Sequence, residues 1–256
     1  MEKKYKLTEE TINVDGRILH RIEALRDFSY IRQGDKGGFV EGESNLSQSG
    51  NCWVYGNAVV YDNVKVGGNA KVGGNAMVYG NARVGDNAII YGNARVRGNT
   101  KVYDNAKVCG NTEVYDNAEI YGDAEVCENV VVCGNARVNG DVVAYGYAKV
   151  CDNAKVFNNA IVCDNAKVCG KAEVFGHGEI CGDAVITSNS DYIVFKNWWS
   201  SGRYFTWMRS NDMWKVGCFH GTGNELIEKA YKDSKISGIE YERIVKYVKT
   251  IKGNEY

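Results

Sequence analysis

From Val54 to Ile186 an aliphatic residue returns at every sixth position without an insertion. The series runs Val54, Val60, Val66, Val72, Val78, Val84, Ile90 and onward to Ile180 and Ile186, with Ala144 its one weak member. Four places after each aliphatic stands a small residue, usually alanine: Ala58, Ala70, Ala76, Ala82, and later Ala154, Ala160 and Ala166. Just before it lies a Gly-Asn or Asp-Asn pair, as in Gly56-Asn57 and Asp62-Asn63. A strand turns alternate side chains to opposite faces, so the aliphatic and the small residue two before it share the inner face. The pair between hexads reads as a corner, with asparagine tolerating left-handed backbone. One hexad is too small to bury its own inner face, so the chain must coil and stack turn upon turn. The pattern predicts a β-solenoid.

Segments such as Val84-Gly85-Asp86-Asn87-Ala88 and Val78-Tyr79-Gly80-Asn81-Ala82 resemble the hexapeptide repeat of left-handed parallel β-helices. The resemblance implies the left hand, a triangular section with three hexads per coil, and homotrimers packed along parallel axes. The leading segment, with Gly37-Gly38-Phe39-Val40 and Asn45 to Trp53, is similar to bacterial and phage proteins described as hexapeptide-repeat acyltransferase-like. For enzymes of that family the resemblance implies an acyl-CoA donor and a histidine placed between subunits.

Both ends depart from the hexad. Residues 1–50 read as a β cap over the first coil, since a bare solenoid end is an open sheet edge. Within it Ile12, Val14, Asp15-Gly16, Ile18, His20 and Ile22 predict a hairpin with a tight turn. Arg32 to Gly38 reads as a glycine-rich loop without the spacing of a phosphate-binding motif. After the solenoid at 51–187, residues 188–256 predict a small α+β domain. Tyr192–Phe195, Tyr204–Met208 and Trp214–Phe219 read as three strands. Thr222-Gly223-Asn224-Glu225 and Ser237-Gly238-Ile239-Glu240 read as capping boxes opening two helices.

A formal net charge of −1 gives no global pull towards nucleic acid. No apolar run is long enough to span a bilayer, and nothing apolar follows Met1-Glu2-Lys3-Lys4-Tyr5, so a cytoplasmic protein is expected. Seven of nine cysteines (Cys109, Cys127, Cys133, Cys151, Cys163, Cys169 and Cys181) come just after an inward aliphatic. At three hexads per coil they stack in ladders about 4.8 Å apart. With no CxxC-like spacing, they read as reduced thiols serving as small apolar groups, and no metal set is assigned. Apolar outward residues such as Val59, Tyr61, Met77, Tyr79, Ile89 and Tyr91 call for cover, which points to homotrimer contacts.

The residues nominate two functions. Trp198, Trp199, Arg203, Tyr204, Trp207, Arg209, Trp214 and His220 concentrate tryptophan and arginine, the residues most enriched at binding hot spots. They point to a non-enzymatic binding or scaffold protein, of a phage or prophage accessory type. Its C-terminal domain would hold a protein or nucleotide-type ligand, with no bound cofactor. The alternative is an acyl-CoA-dependent O- or N-acyltransferase using His177, the one solenoid histidine, which replaces a corner asparagine. The two part on whether His177 lines a concave cleft between subunits or lies exposed on a convex corner.

Overall fold

The computed structural model describes residues 2–253, and its centre is a three-faced parallel β-solenoid. Each hexad contributes a short strand, two residues long except at Arg137–Gly140 and Lys155–Asn158, which pairs in parallel with the strand eighteen residues on, as Lys101↔Glu119 and Val102↔Ile120 do. The inner residues, Val102, Val114 and Ile120 with Ala106 and Ala118, are fully buried in one continuous core. Outside, charged rungs face one another: Glu119 accepts a hydrogen bond from Lys101 at 2.8 Å and forms an ion pair with Arg137 at 3.2 Å.

The corner differs from the expected one. Positive φ falls on the first residue of each pair, Gly56 (61°) or Asp62 (61°), and the asparagine after it does not share it. The asparagines do other work. Their side-chain amides form ladders along the edges, for instance Asn63 to Asn81 at 3.0 Å and Asn81 to Asn99 at 2.9 Å. Where aspartate takes the first place, its carboxylate accepts the corner N–H of the next coil, as Asp104 does from Gly122 at 2.9 Å. Left-handed geometry thus selects glycine or aspartate, and amide stacking selects asparagine.

The N-terminal cap is an antiparallel hairpin, β1 (Tyr5–Val14) and β2 (Arg17–Ala24), turning through Asp15 (φ 52°) and Gly16 (φ 82°) as the sequence predicts. Its neighbour β3 (Lys36–Val40) lies antiparallel to β2 and parallel to the solenoid strand Val59–Val60, so cap and rod share one sheet. Tyr61, Val59, Met77 and Tyr79 were expected to be covered by other subunits. Instead Leu19, Ile12 and Val14 of this hairpin cover them, and Tyr61 stacks on Tyr79 at 5.1 Å. The sequence could not show which element would fold back onto that row.

Stacked coils leave unpaired carbonyls at one end and unpaired N–H groups at the other. At the first end Lys4, fully buried, donates through Nζ to the Cys52 carbonyl at 2.9 Å and more weakly to Gly50 at 3.4 Å. The Tyr5 hydroxyl serves the Leu46 carbonyl at 2.7 Å. Burial holds the Lys4 ammonium below its ordinary range, with the neighbouring Cys52 pulling it back up. Replacing Lys4 with methionine keeps the volume and strands these carbonyls, at a cost of about 1–3 kcal/mol. Between the depressed folded pKa and 10.5 the unfolded chain binds more protons than the folded one, so wild-type stability rises with pH there. The Lys4→Met deficit is therefore expected to widen through that window in denaturant titrations.

At the far end Glu173, Glu179, Cys181, Val185 and Thr187 stand where Lys155, Ile161, Cys163, Lys167 and Cys169 donate to a following coil. With no coil to follow, their N–H groups reach side chains of the C-terminal unit. The acceptors are Asn189 at 2.7 Å, Thr206 at 3.0 Å, Met208 Sδ at 3.4 Å, Ser210 at 2.7 Å and Asp191 at 2.7 Å. That unit is an antiparallel sheet in the order β4 (Tyr192–Lys196), β5 (Tyr204–Met208), β6 (Met213–Val216), β7 (Phe219–Thr222), followed by α1 (Gly223–Asp233) and α2 (Lys235–Gly253). The expected third strand is two, because Gly217 (φ 54°) turns the chain between them. The Thr222–Glu225 capping box is present, whereas the one expected at Ser237 is not. There α2 already runs from Lys235, and the Ser234 hydroxyl accepts the Ser237 N–H at 3.0 Å.

A candidate active site where the rod meets its C-terminal cap

The next-to-last corner of the rod, before Gly182-Asp183, carries His177. Its predecessor Gly176 takes the positive φ (66°), so backbone geometry makes no demand for histidine here. Nor does His177 extend an amide ladder. Its ring stacks instead on Tyr204 of β5, with centroids 4.1 Å apart and planes 18° from parallel. On the other side of that aromatic pair, the Lys196 ammonium of β4 lies 5.4 Å from the Tyr204 ring centre. These residues border a cavity of about 550 Å³, within the range of small-ligand sites, with Phe175, Tyr192 and Phe195 among its walls.

Two residues after His177, Glu179 is half-buried beneath the sheet. Burial pushes its carboxyl above the ordinary range, while Lys215 at 4.0 Å and His177 pull it down. The backbone of Glu179 is fixed by its hydrogen bond to Thr206. The His177 imidazole, the Lys196 ammonium and the Tyr204 phenol border one concavity from three chain segments, and the Glu179 carboxyl lies behind its lining, near enough to feel the His177 charge. An imidazole beside a cavity can take and return a proton, and a nearby carboxylate steadies the imidazolium that results.

The other residues singled out from sequence do not share one surface. Trp207 and Trp214 are core, packed with Phe205, Leu226 and Tyr241, and the Trp207 indole donates to Asp212 at 2.9 Å. Trp199 is partly buried edge-on against Tyr241 at 5.0 Å, whereas Trp198 is 75% exposed. The Arg209 guanidinium lies 5.8 Å from the Trp207 ring centre. His220 lies over Gly182 of the last coil, and Arg203 borders a second cavity of about 380 Å³ beside α1 and α2. Only Tyr204 joins His177. Glu179 and Lys196 went unnoticed in the sequence, where Glu179 reads as one more outward rung.

The cysteine ladders stack as expected, but two rungs are covalent. Cys109–Cys127 and Cys163–Cys181 are disulfides, each joining successive coils with Cα atoms 4.5 and 4.7 Å apart. The reading of all seven as reduced thiols is corrected accordingly. A Cα separation near 4.6 Å lies within the range a disulfide spans, and spacing alone cannot tell bonded from free sulfurs.

A model of the bacterial transferase hexapeptide, six repeats long, matches residues 63–98, and a model of the YdcK β-solenoid repeat matches residues 132–146. Over 61 residues the chain is 38% identical to the uncharacterized acetyltransferase YdcK of Escherichia coli (strain K12). That match covers 21% of this chain and 19% of the relative, about a fifth of its length. The fold and these matches define a hexapeptide-repeat β-solenoid. Within that class the chain is related to the YdcK-type uncharacterized acetyltransferases. The expectation of a non-enzymatic, phage-type scaffold is overturned by them, since both the repeat and the relative carry transferase names. Among the described residues no helix is long and apolar enough to cross a membrane.

Proposed function

We propose that the chain is an acyltransferase that moves an acyl group from an acyl-CoA thioester to a hydroxyl or amine, using the cavity beside His177. The observation that carries this reading is the placement of His177. It lines a concavity and stacks on an aromatic from another segment, while the corner it occupies does not require it. The thioester supplies an activated carbonyl. His177 takes the proton from the acceptor hydroxyl or amine as its oxygen or nitrogen bonds to that carbonyl carbon. When the carbon–sulfur bond breaks, the imidazolium returns the proton to the departing thiolate. Glu179 offsets the imidazolium charge, and the aromatic walls exclude water and hold an apolar or planar part of a substrate. The test is release of free CoA from acetyl-CoA with panels of hydroxyl and amine acceptors, compared between wild type and His177→Ala. Acceptor-dependent release that His177→Ala does not diminish removes the assignment.

The assembly that goes with this reading is a homotrimer. Tyr91 (58% exposed) and Tyr145 lie on one outward row that no element among the described residues covers, unlike Tyr61 and Tyr79. Light scattering is expected to return three times the chain mass at micromolar concentration, and a Tyr91→Glu/Tyr145→Glu variant the monomer mass. A monomeric wild type refutes it.

A further inference from the structure

Outside the disulfides, three cysteines form a ladder of their own. Cys133, Cys151 and Cys169 follow the solenoid strands Val131–Val132, Lys149–Val150 and Lys167–Val168, which stack in register. Next to Cys151 stands a corner aspartate, Asp152 (φ 60°), whose Oδ2 accepts the Gly170 N–H of the next coil at 2.9 Å. That bond fixes the carboxylate over the ladder. As a result Cys151 Sγ, an Asp152 carboxylate oxygen and Cys169 Sγ all lie within 4.8 Å of one another.

We propose that Cys151, Asp152 and Cys169 form a binding site for a thiophilic divalent cation of the Zn²⁺ kind, held by two thiolates and one carboxylate. Two thiolates on one tetrahedral ion, each at about 2.3 Å, stand roughly 3.8 Å apart. Small side-chain rotations reach that separation from the rung spacing. The chain itself shows that such closure is within range: the same trio recurs one hexad row away as Cys163, Asp164 and Cys181, where the sulfurs approach closely enough to be bonded. Asp152 is oriented by a backbone donor, as a metal-binding carboxylate generally is. A cation placed among these groups favours the thiolate forms that bind it. The site does not depend on the acyltransferase reading, because it lies on a different part of the rod from His177.

The experiment uses the full chain purified without reductant and Cd²⁺ as the probe, followed by the ultraviolet charge-transfer band of cadmium thiolate. A thiol titration first establishes that the five cysteines Cys52, Cys133, Cys151, Cys169 and Cys218 are free. Wild type is expected to bind about one Cd²⁺ per chain tightly, with Zn²⁺ displacing it. Cys151→Ser and Cys169→Ser are expected to abolish the band, and Asp152→Asn to weaken affinity about 10–100-fold. Cys218→Ser, in the turn between β6 and β7, is expected to change nothing. Circular dichroism confirms each fold; should a cysteine variant fail to fold, Asp152→Asn decides, since its amide oxygen can still accept from Gly170. A band that survives Cys151→Ser and Cys169→Ser, or disappears with Cys218→Ser, overturns the proposal. So does a thiol count showing Cys151 and Cys169 already joined.

Discussion

His177→Ala is expected to lower acceptor-dependent CoA release by about 10²–10⁴-fold, the usual worth of a positioned acid–base group. The fold should not notice. The Gly176 backbone makes the turn, and the side chain beyond it supports no amide ladder and fills no core. What the substitution removes is the imidazole stacked on Tyr204 at the cavity wall. If His177 supplied only binding surface, KM would rise while kcat stayed put. A proton-transfer role instead lowers kcat. A melting temperature held within a degree or two of wild type separates loss of chemistry from loss of fold. Unchanged kcat with unchanged melting would return His177 to the status of a surface residue.

The repeat made the rod legible and hid the site. Six-residue periodicity announces which side chains face inward, because burial in a solenoid depends only on strand alternation. The same logic stacked Cys109 over Cys127 and Cys163 over Cys181 correctly. Corner chemistry was less visible, since Gly-Asn and Asp-Asn present two residues that tolerate positive φ, and only coordinates show which one adopts it. The proposed site was least visible of all. His177 and Tyr204 are far apart in sequence and belong to different modules, and Glu179 occupies an ordinary rung position until the C-terminal sheet lands on it. Tryptophan content misled for a related reason: Trp207 and Trp214 are needed to fill a small domain's core, and composition does not separate a core residue from a recognition residue.

Val114→Asp is expected to destabilise the chain by more than about 4 kcal/mol, the other large effect. Val114 is fully buried, stacked in register between Val96 and Val132 in a core whose buried hydroxyls, those of Thr100 and Thr112, cannot neutralise a carboxylate. A carboxylate there must ionise without solvent or take up a proton, and either choice costs several kcal/mol. Its neighbour Glu113 points outward between Arg95 and Val131, so Glu113→Lys should cost under about 1 kcal/mol, mostly through the new like-charge rung. The shape of the transition matters as much as its midpoint. In a repeat protein each coil is held by the coils on either side, so a broken middle coil uncouples the two halves. The lower half keeps the Lys4 seal and the hairpin cap, and the upper half keeps the side chains that cap Glu179, Cys181 and Val185. Thermal unfolding of Val114→Asp should therefore split into two steps, while Glu113→Lys unfolds in one. If the two variants melt alike, the assignment of inner and outer faces along the rod is wrong.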